Sequence, residues 1–314
     1  MIFHKFSHSN LKQMYRPKFS WSDYFTGSLS PTVGPGKYTS NQTLSDTNAY
    51  VLNCLFIGCT SSNAGGGALS CTSVTYLLVE SSSFFSCRTG ATYGGGAIYF
   101  YNLGNGQCVL HGVCCYDCCS TSTSSSWGQF AYVYVNNVAS SKNYVNYSSI
   151  SRCVNENSNS NKNALLCFFN GKIFCPSINI SNNKCQSYTG VYSHPTSDSN
   201  SVTSSLSYSS FTDIYSFGSI CIYFETGSTK YEIKSCNIIR NTQVSSSNGL
   251  IYTYGNLMIK DSCILENSAN CIFSSSSSYT ITLSNCTVDK TTNNGYLTIQ
   301  NTVTKSFILG LNHM

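Results

Sequence analysis

The chain has 314 residues, of which only 9% are charged, and its formal net charge is +5 at pH 7. No apolar run reaches the roughly 18 residues that indicate a membrane-spanning helix, and the first residues lack the apolar core of a signal peptide. The basic residues are scattered along the chain, whereas nucleic-acid binding needs a basic patch with interleaved aromatics. We therefore expect no transmembrane segment and no nucleic-acid partner.

The first 45 residues differ from the rest of the chain. Aromatic residues such as Trp21 and Phe25 are followed by prolines and glycines between residues 31 and 36, with no repeated pattern. The open end of a repeat array exposes its core and an unpaired strand edge, and it needs a cap. We predict an N-terminal cap over residues 1–45, with a short helix near residues 10–15; a disordered tail is the alternative.

Residues 46–303 repeat a short phrase. Its first copies, at 51–59 and 79–87, share an apolar start, a small residue three positions later, an apolar residue five later and a cysteine eight later. The starts lie between 24 residues apart (259 to 283) and 35 residues apart (110 to 145), a variation typical of solenoids with constant strands and variable loops. The later copies start at Leu110, Val145, Cys175, Leu206, Ile233, Ile259 and Leu283.

Each unit has a second apolar segment after a polar loop. Short runs of Val, Ile, Tyr, Phe and Thr bounded by Gly, Asn and Ser are typical of strands, and no stretch of ten or more residues combines helical apolar spacing with good helix formers. The fold class is therefore all-β: a right-handed parallel β-helix of about nine coils, with 304–314 as a C-terminal tail or cap. A β-propeller is the rival, but its blades need roughly 40–50 residues. The second segments lie at 65–71, 94–100, 128–134, 163–168, 249–252 and 295–299.

The β-helix prediction fixes which residues should stack. Phe56 should lie over Phe84, one strand spacing of about 4.8 Å away. From the third unit onward, the charged residues seven positions after the start alternate in sign, which predicts a salt-bridge ladder. Small and amide side chains should occupy a corner eight residues after each start, because Asn tolerates left-handed backbone and bonds a neighbouring amide. That corner column reads Cys59, Cys87, Cys118, Cys153, Asn183, Ile214, Asn241, Asn267 and Thr291.

The cysteines admit two interpretations. Thiols in a stack behave as small buried apolar groups, although coils one strand apart could also be bridged; we expect mostly free thiols. Half of a zinc site is present at Cys115-x-x-Cys118, near Cys108 and His111. Cys115 and Cys118 fall in the core and corner columns, so we favour a structural role and expect no metal and no cofactor.

Two short motifs alternate in the first coils and carry a resemblance. Gly-Gly-Ala followed by an aliphatic residue occurs at 66–69 and 95–98, and Phe-x-x-Cys occurs at 56–59 and 84–87. The pair resembles the repeats of polymorphic membrane proteins of chlamydiae and of similar surface proteins of parasitic protists. That family usually has Phe-x-x-Asn, whereas this chain has Cys in place of Asn in the first coils and Ile-x-x-Asn at 238–241 and 264–267. The resemblance implies a right-handed parallel β-helix displayed at a cell surface, with a role in adhesion.

Two functions follow from these observations. Outward positions of the second strand carry tyrosines, and we predict ligand contacts at Tyr99, Tyr101 and Tyr223; a purely strand-forming role is the alternative. The predicted function is a non-enzymatic scaffold, expected to be a monomer, that binds a protein or glycan of a host or neighbouring cell.

The alternative function is a carbohydrate-active β-helix enzyme, which needs converging carboxylates. Asp213 and Glu232 do not share a column, so convergence is not predicted. The nearest candidate group is Asp213, Lys230, Glu232, Lys234 and Arg240.

Overall fold

The computed structural model describes residues 20–62, 64–92, 94–122, 124, 126–154, 162–219, 221–244, 248–276 and 278–304. The chain divides into two units, residues 1–30 and residues 31–314. In the first, helix α1 (Trp21–Tyr24) begins where the Asp23 carboxylate accepts a hydrogen bond of 2.6 Å from the Ser20 amide. The Trp21 ring packs against the Phe25 ring in a tilted arrangement, with centroids 4.8 Å apart and planes at 47°. The helix predicted near residues 10–15 and the tail predicted from residue 305 onward lie outside the described residues.

The second unit is a parallel β-solenoid, which confirms the predicted fold class. Every strand pair recorded between the described residues is parallel and joins strands of successive coils. The right-handed sense of the winding remains a prediction.

Three long sheets run along this unit, and their described strands are as follows. Sheet 1 contains β3 (Asn48–Leu52), β7 (Tyr76–Glu80), β11 (Gln107–His111), β16 (Lys142–Asn146), β20 (Lys172–Pro176), β24 (Val202–Ser207), β28 (Lys230–Lys234), β32 (Asn256–Lys260), β35 (Thr280–Ser284) and β38 (Tyr296–Gln300). Sheet 2 contains β1 (Gly36–Tyr38), β4 (Cys54–Ile57), β8 (Ser83–Phe85), β12 (Cys114–Tyr116), β17 (Ser149–Ser151), β21 (Asn179–Ser181), β25 (Ser210–Thr212), β29 (Asn237–Ile239), β33 (Cys263–Leu265), β36 (Thr287–Val288) and β39 (Val303–Thr304). Sheet 3 contains β2 (Gln42–Leu44), β6 (Leu69–Cys71), β10 (Ile98–Tyr101), β15 (Ala131–Tyr134), β19 (Leu166–Phe169), β23 (Val191–His194), β27 (Ile222–Phe224), β31 (Ile251–Thr253), β34 (Phe273–Ser275) and β37 (Asn293–Asn294).

Two narrow sheets lie in the segments between sheet 2 and sheet 3. Sheet 4 contains β5 (Thr60–Ser61), β9 (Arg88–Thr89) and β13 (Cys119–Ser120). Sheet 5 contains β14 (Ser126–Trp127), β18 (Lys162–Asn163), β22 (Lys184–Ser187), β26 (Tyr215–Ser219) and β30 (Thr242–Gln243).

The predicted stacking register is confirmed along the core. Phe56 pairs with Phe84, and the same column continues through every later unit to the pair of Ile264 with Val288. All nine of these side chains are buried. Strand alternation explains the pattern, because every second residue of a strand points to the same side of its sheet. The sequence therefore predicts the inward face of sheet 2 residue by residue.

The strands extend beyond the nine predicted units at both ends. Strands β1 and β2 precede residue 46 and already pair with β4 and β6. The segment at 295–299 was predicted as a second-half strand, and this is wrong: β38 pairs with β35 in sheet 1. The last strand of sheet 3 is β37, which has only the two polar residues Asn293–Asn294 and therefore lacks the apolar run used in the prediction. Gly295, with a φ of 107°, links it directly to β38. The cap role of residues 1–45 remains a prediction.

Most coils turn at two corners with left-handed backbone, one two residues and the other seven residues after the phrase start. Seven residues after the phrase starts, Asp117, Arg152, Asn182, Asp213 and Arg240 all have φ between 52° and 56°. The prediction placed the left-handed residue one position later, in the column of Cys and Asn, and this is wrong. Left-handed backbone costs a residue other than glycine about 1–2 kcal/mol, so the buried column that follows must stabilise the turn.

That buried column stabilises the corner through its amide groups. Asn241 Oδ1 accepts a hydrogen bond of 3.0 Å from the Ile214 amide of the preceding coil, and its Nδ2 donates one of 2.9 Å to the Phe211 carbonyl. Asn267 bonds the Asn241 amide in the same way, at 2.9 Å. In the earlier coils the same position is a buried, free cysteine, and the Cys118 thiol accepts a bond of 3.4 Å from the Cys87 amide. Cysteine thus makes the inter-coil contact that asparagine makes later in the chain.

Candidate functional site

Sheet 3 presents two columns of aromatic side chains on its outward side. In β10, Ile98 and Phe100 point into the core, so Tyr99 and Tyr101 point outward. Most equivalent positions of the later coils also carry aromatic side chains, and we call the resulting surface the aromatic face. Its inner column is Tyr99, Tyr132, Cys167, Tyr192, Tyr223 and Tyr252. Its outer column is Tyr101, Tyr134, Phe169, His194, Glu225 and Tyr254.

Neighbouring rings of the aromatic face are in contact. Tyr134 and Phe169 are stacked, with centroids 4.7 Å apart and planes 12° apart. Tyr101 meets Tyr134 edge to face at 5.3 Å, and such ring pairs add to the stabilisation that burial gives. Trp127 stacks on Tyr188 at 5.4 Å, and Tyr188 stacks on Tyr223 at 4.9 Å. The rings therefore form a continuous packed layer on the outside of the sheet.

The three predicted contact residues belong to this face but differ in exposure. Tyr101 is 38% exposed and Tyr99 is half-buried, whereas Tyr223 is only 7% exposed. Tyr223 lies four strands along the column from Tyr99, because β15, β19 and β23 intervene. The accessible rings belong mainly to the outer column, and Tyr101 is the one residue of that column among the three predicted contacts. Tyr254, at 40%, is as exposed as Tyr101.

Burial changes the ionisation of the inner column. It raises the pKa of Tyr132 and of Tyr223. For Tyr252, burial together with its hydrogen bond to Tyr254 raises the pKa to about 12. These hydroxyls therefore stay protonated at neutral pH and act as hydrogen-bond donors and acceptors, not as anions.

The outer column contains one pair of titratable groups. Nδ1 of His194 lies 3.3 Å from Oε2 of Glu225. Burial lowers the pKa of His194 and raises the pKa of Glu225. The outer column therefore has an imidazole and a carboxyl group between the rings of Phe169 and Tyr254.

The residues considered for catalysis are not brought together. Asp213 follows β25 of sheet 2 and forms a bidentate pair with Arg240, with contacts of 2.9 and 2.8 Å. Glu232 lies on β28 of sheet 1 and faces Lys260 at 3.4 Å. The two carboxylates therefore lie on different sheets, whereas hydrolysis of a glycosidic bond needs both beside one bond.

The predicted column of charges forms one of its expected ion pairs, but another of its residues pairs with a residue outside the column. Asp213 and Arg240 form the predicted pair between adjacent coils. Asp117 instead pairs with Arg88 of the preceding coil, at 2.7 Å. Arg88 comes nine residues after its phrase start, so it lies outside the predicted charge column.

The residues of the cysteine cluster are divided between the buried core, the corner column and two different sheets. Cys115 and Cys118 are buried in the core and corner columns, and Cys115 Sγ lies 3.5 Å from Cys153 Sγ. Cys108 and His111 belong to sheet 1, while Cys114 points outward from sheet 2. Within the described part of the chain, no group of three or more ligand side chains could hold a metal ion.

Sequence reasoning missed a polar cluster on the outward side of sheet 1. The Tyr50 hydroxyl donates a hydrogen bond of 2.5 Å to the Glu80 carboxylate, and His111 occupies the position in register with Glu80 on the next strand. All three residues are buried. The signal was the unbroken apolar runs 77–79 and 108–110, because a strand that is apolar at consecutive positions is buried on both faces.

Comparisons with known proteins give no family for this chain. No protein-family model, curated protein or solved structure matches it. Over the residues that the structure describes, no helix has the length and apolar character needed to cross a membrane.

Proposed function

We propose that this protein is a non-enzymatic binding scaffold and that the aromatic face is its contact surface for a glycan. The observation that carries the proposal is the outer column of the aromatic face. Tyr101 and Tyr254 are about two-fifths exposed there, and the half-buried rings of Tyr134 and Phe169 lie between them. The rows repeat at the strand spacing of about 4.8 Å, so the column offers a long, narrow strip of ring surface.

A glycan fits this strip better than other ligands do. Sugar rings have an apolar face edged by hydroxyl groups, and tyrosine combines an aromatic face with a hydroxyl that donates and accepts. Glu225 and His194 add polar partners within the same column. The rigid stacking of the coils holds the rings in place, so a ligand need not order them on binding.

The resemblance to polymorphic membrane protein repeats supports a wider role. We infer on that basis that the scaffold is displayed at a cell surface and acts in adhesion. The exposed tyrosines and the absence of converging carboxylates among the candidate residues favour binding over glycoside hydrolysis.

A glycan array with matched variants tests the proposal. Tyr101→Ser and Tyr254→Ser each remove one exposed ring of the strip, and we expect each to weaken binding by about tenfold, which corresponds to about 1.4 kcal/mol. Tyr208→Ser is the matched control, because Tyr208 is 64% exposed but follows β24 of sheet 1. Serine already occupies equivalent corner positions at 177 and 235.

Three results decide between the alternatives. Glycan binding that falls in both face variants and not in the control supports the proposal. Binding to a protein from a neighbouring cell and to no glycan, weakened in both face variants and not in the control, would support the aromatic face as the contact surface and identify the partner as a protein. Equal binding by all three variants would show that these rings are scaffold and would contradict the proposal.

A further inference from the structure

A polar groove of about 490 Å³ lies along the corner that follows sheet 2. Four successive coils contribute to it, and no residue of the aromatic face does. We call it the corner groove. Its lining residues are Tyr116, Asp117, Arg152, Val154, Asn182, Lys184 and Asp213.

Both carboxylates of the corner groove already have a guanidinium partner from outside its lining. Arg88 Nη2 lies 2.7 Å from Asp117 Oδ1, and the Arg88 side chain also donates to the Asp117 carbonyl. Arg240 binds both oxygens of Asp213, at 2.9 and 2.8 Å, and this hydrogen bonding lowers the pKa of Asp213. Each of these two acidic side chains is therefore paired with a guanidinium from outside the groove, and among the described residues neither pairs with Arg152.

Arg152 is well placed to meet a ligand. Its backbone is left-handed, with a φ of 52°, and its side chain is exposed at the corner that follows sheet 2. Among the described residues, the only hydrogen bond of its guanidinium is a long one of 3.4 Å from Nη1 to the Tyr116 hydroxyl. A guanidinium has five N–H donors in a fixed fork, a geometry that matches two oxygens of one oxyanion.

The other lining groups suit a polar ligand that carries such an anion. Asn182 supplies amide donors and acceptors one coil beyond Arg152, and Tyr116 supplies a ring and a hydroxyl one coil before it. Lys184 also belongs to the lining, but Arg152 alone is assigned to the anion. We infer that the corner groove is an oxyanion-binding site, which takes a carboxylate, sulfate or phosphate group carried on a polar ligand, with Arg152 as the anchoring residue.

Titration calorimetry at low ionic strength tests the inference with three probes: inorganic sulfate, glucuronate and glucose. Low salt is needed because surface charges are screened beyond about 10 Å at 0.1 M salt. Arg152→Gln should weaken anion binding by about tenfold or more, since hydrogen bonds to charged groups are the strong ones. Lys172→Gln is the matched control, because it removes one exposed positive charge from β20 of sheet 1.

Arg240→Gln provides a second variant that leaves the anchor in place. It removes the partner of Asp213, so an uncompensated carboxylate then faces the groove, and anion affinity should fall here too. This keeps the test decisive if Arg152→Gln does not fold, which thermal unfolding of each variant will show.

The probes distinguish the sources of the oxyanion. Binding of glucuronate alone, with loss in Arg152→Gln, supports the inference and identifies a carboxylated sugar. Binding of sulfate alone, with the same loss, supports it and identifies a sulfate or phosphate ester. No binding of either anion would overturn it. So would equal binding of glucose, or affinities that are the same in Arg152→Gln and Lys172→Gln.

Discussion

The ring of Phe84 lies directly over the ring of Phe56, with centroids 4.9 Å apart and planes only 5° apart. The two residues are 28 positions apart in the chain and are paired on adjacent parallel strands, β4 and β8. Stacking equivalent side chains at one strand spacing is how this chain builds its core, and the following predictions test that core, its corners and its outer face.

Removing one ring of the stack should leave a cavity that the coils cannot fill. Phe84→Ala is expected to destabilise the protein by about 3–5 kcal/mol, the usual cost for a fully buried phenylalanine. Phe85→Ala is the matched control, because the adjacent side chain points outward and should cost far less. Urea unfolding followed by circular dichroism measures both; equal midpoints for the two variants would contradict the stacked core.

The corner column predicts an unusual order of substitutions. Asn241→Ala leaves the Ile214 amide and the Phe211 carbonyl without partners and should cost about 2–4 kcal/mol. Asn241→Cys should cost less, because a cysteine makes this contact in the earlier coils. Asn237→Ala, at an exposed position of β29, should change stability little. Thermal unfolding of the three variants is the measurement, and an alanine variant as stable as the cysteine variant would refute this role of the column.

The left-handed corners predict that glycine can stabilise this protein. Tyr208 has a φ of 52° and a largely exposed side chain. Tyr208→Gly should gain about 0.5–1 kcal/mol, since relief of left-handed strain exceeds the entropy that glycine loses on folding. Ser210→Gly, in the neighbouring strand β25, should instead lose stability. Unfolding midpoints that fall in both variants would show that the corner is not strained.

Glu225 predicts a dependence of stability on pH. Burial raises the folded-state pKa of this carboxyl above its ordinary value of 4.5, so the folded state binds the proton more tightly than the unfolded state does. Ionised Glu225 therefore destabilises the fold above its folded pKa, and this penalty disappears as the pH falls to the ordinary value. Glu225→Gln should raise the melting temperature at pH 7 and have little effect near pH 4. A melting-temperature difference that is independent of pH would contradict this assignment.

The inward columns could be predicted from the sequence because they depend on one local rule. Phe56, Phe84 and their successors keep a fixed offset from an apolar start, and alternation along a strand then decides which side they face. Loops of variable length do not change that offset. The register of sheet 2 therefore stays the same in the later coils, where Asn replaces Cys in the corner column.

The outer face could not be predicted in the same way, because burial there depends on residues from other coils. Tyr223 has the outward alternation of an exposed residue, yet Tyr188, from the corner that follows β22, stacks on it. Asp117 is likewise paired by Arg88, which belongs to a different offset in the preceding coil. Only the spatial arrangement of neighbouring coils shows these contacts.

Cross-linking of in-register cysteines tests the central claim, the stacking of successive coils, most directly. Ser151 pairs with Ser181 on the next strand, and Ser181 pairs with Thr212 one strand further. In a Cys114→Ser background, which removes the exposed native thiol, mild oxidation should bridge the double variant Ser151→Cys with Ser181→Cys, because a disulfide spans Cα atoms about 4.4–6.8 Å apart. It should not bridge Ser151→Cys with Thr212→Cys, two strand spacings away. Peptide mapping that finds the second bridge and not the first would contradict the stacked coils.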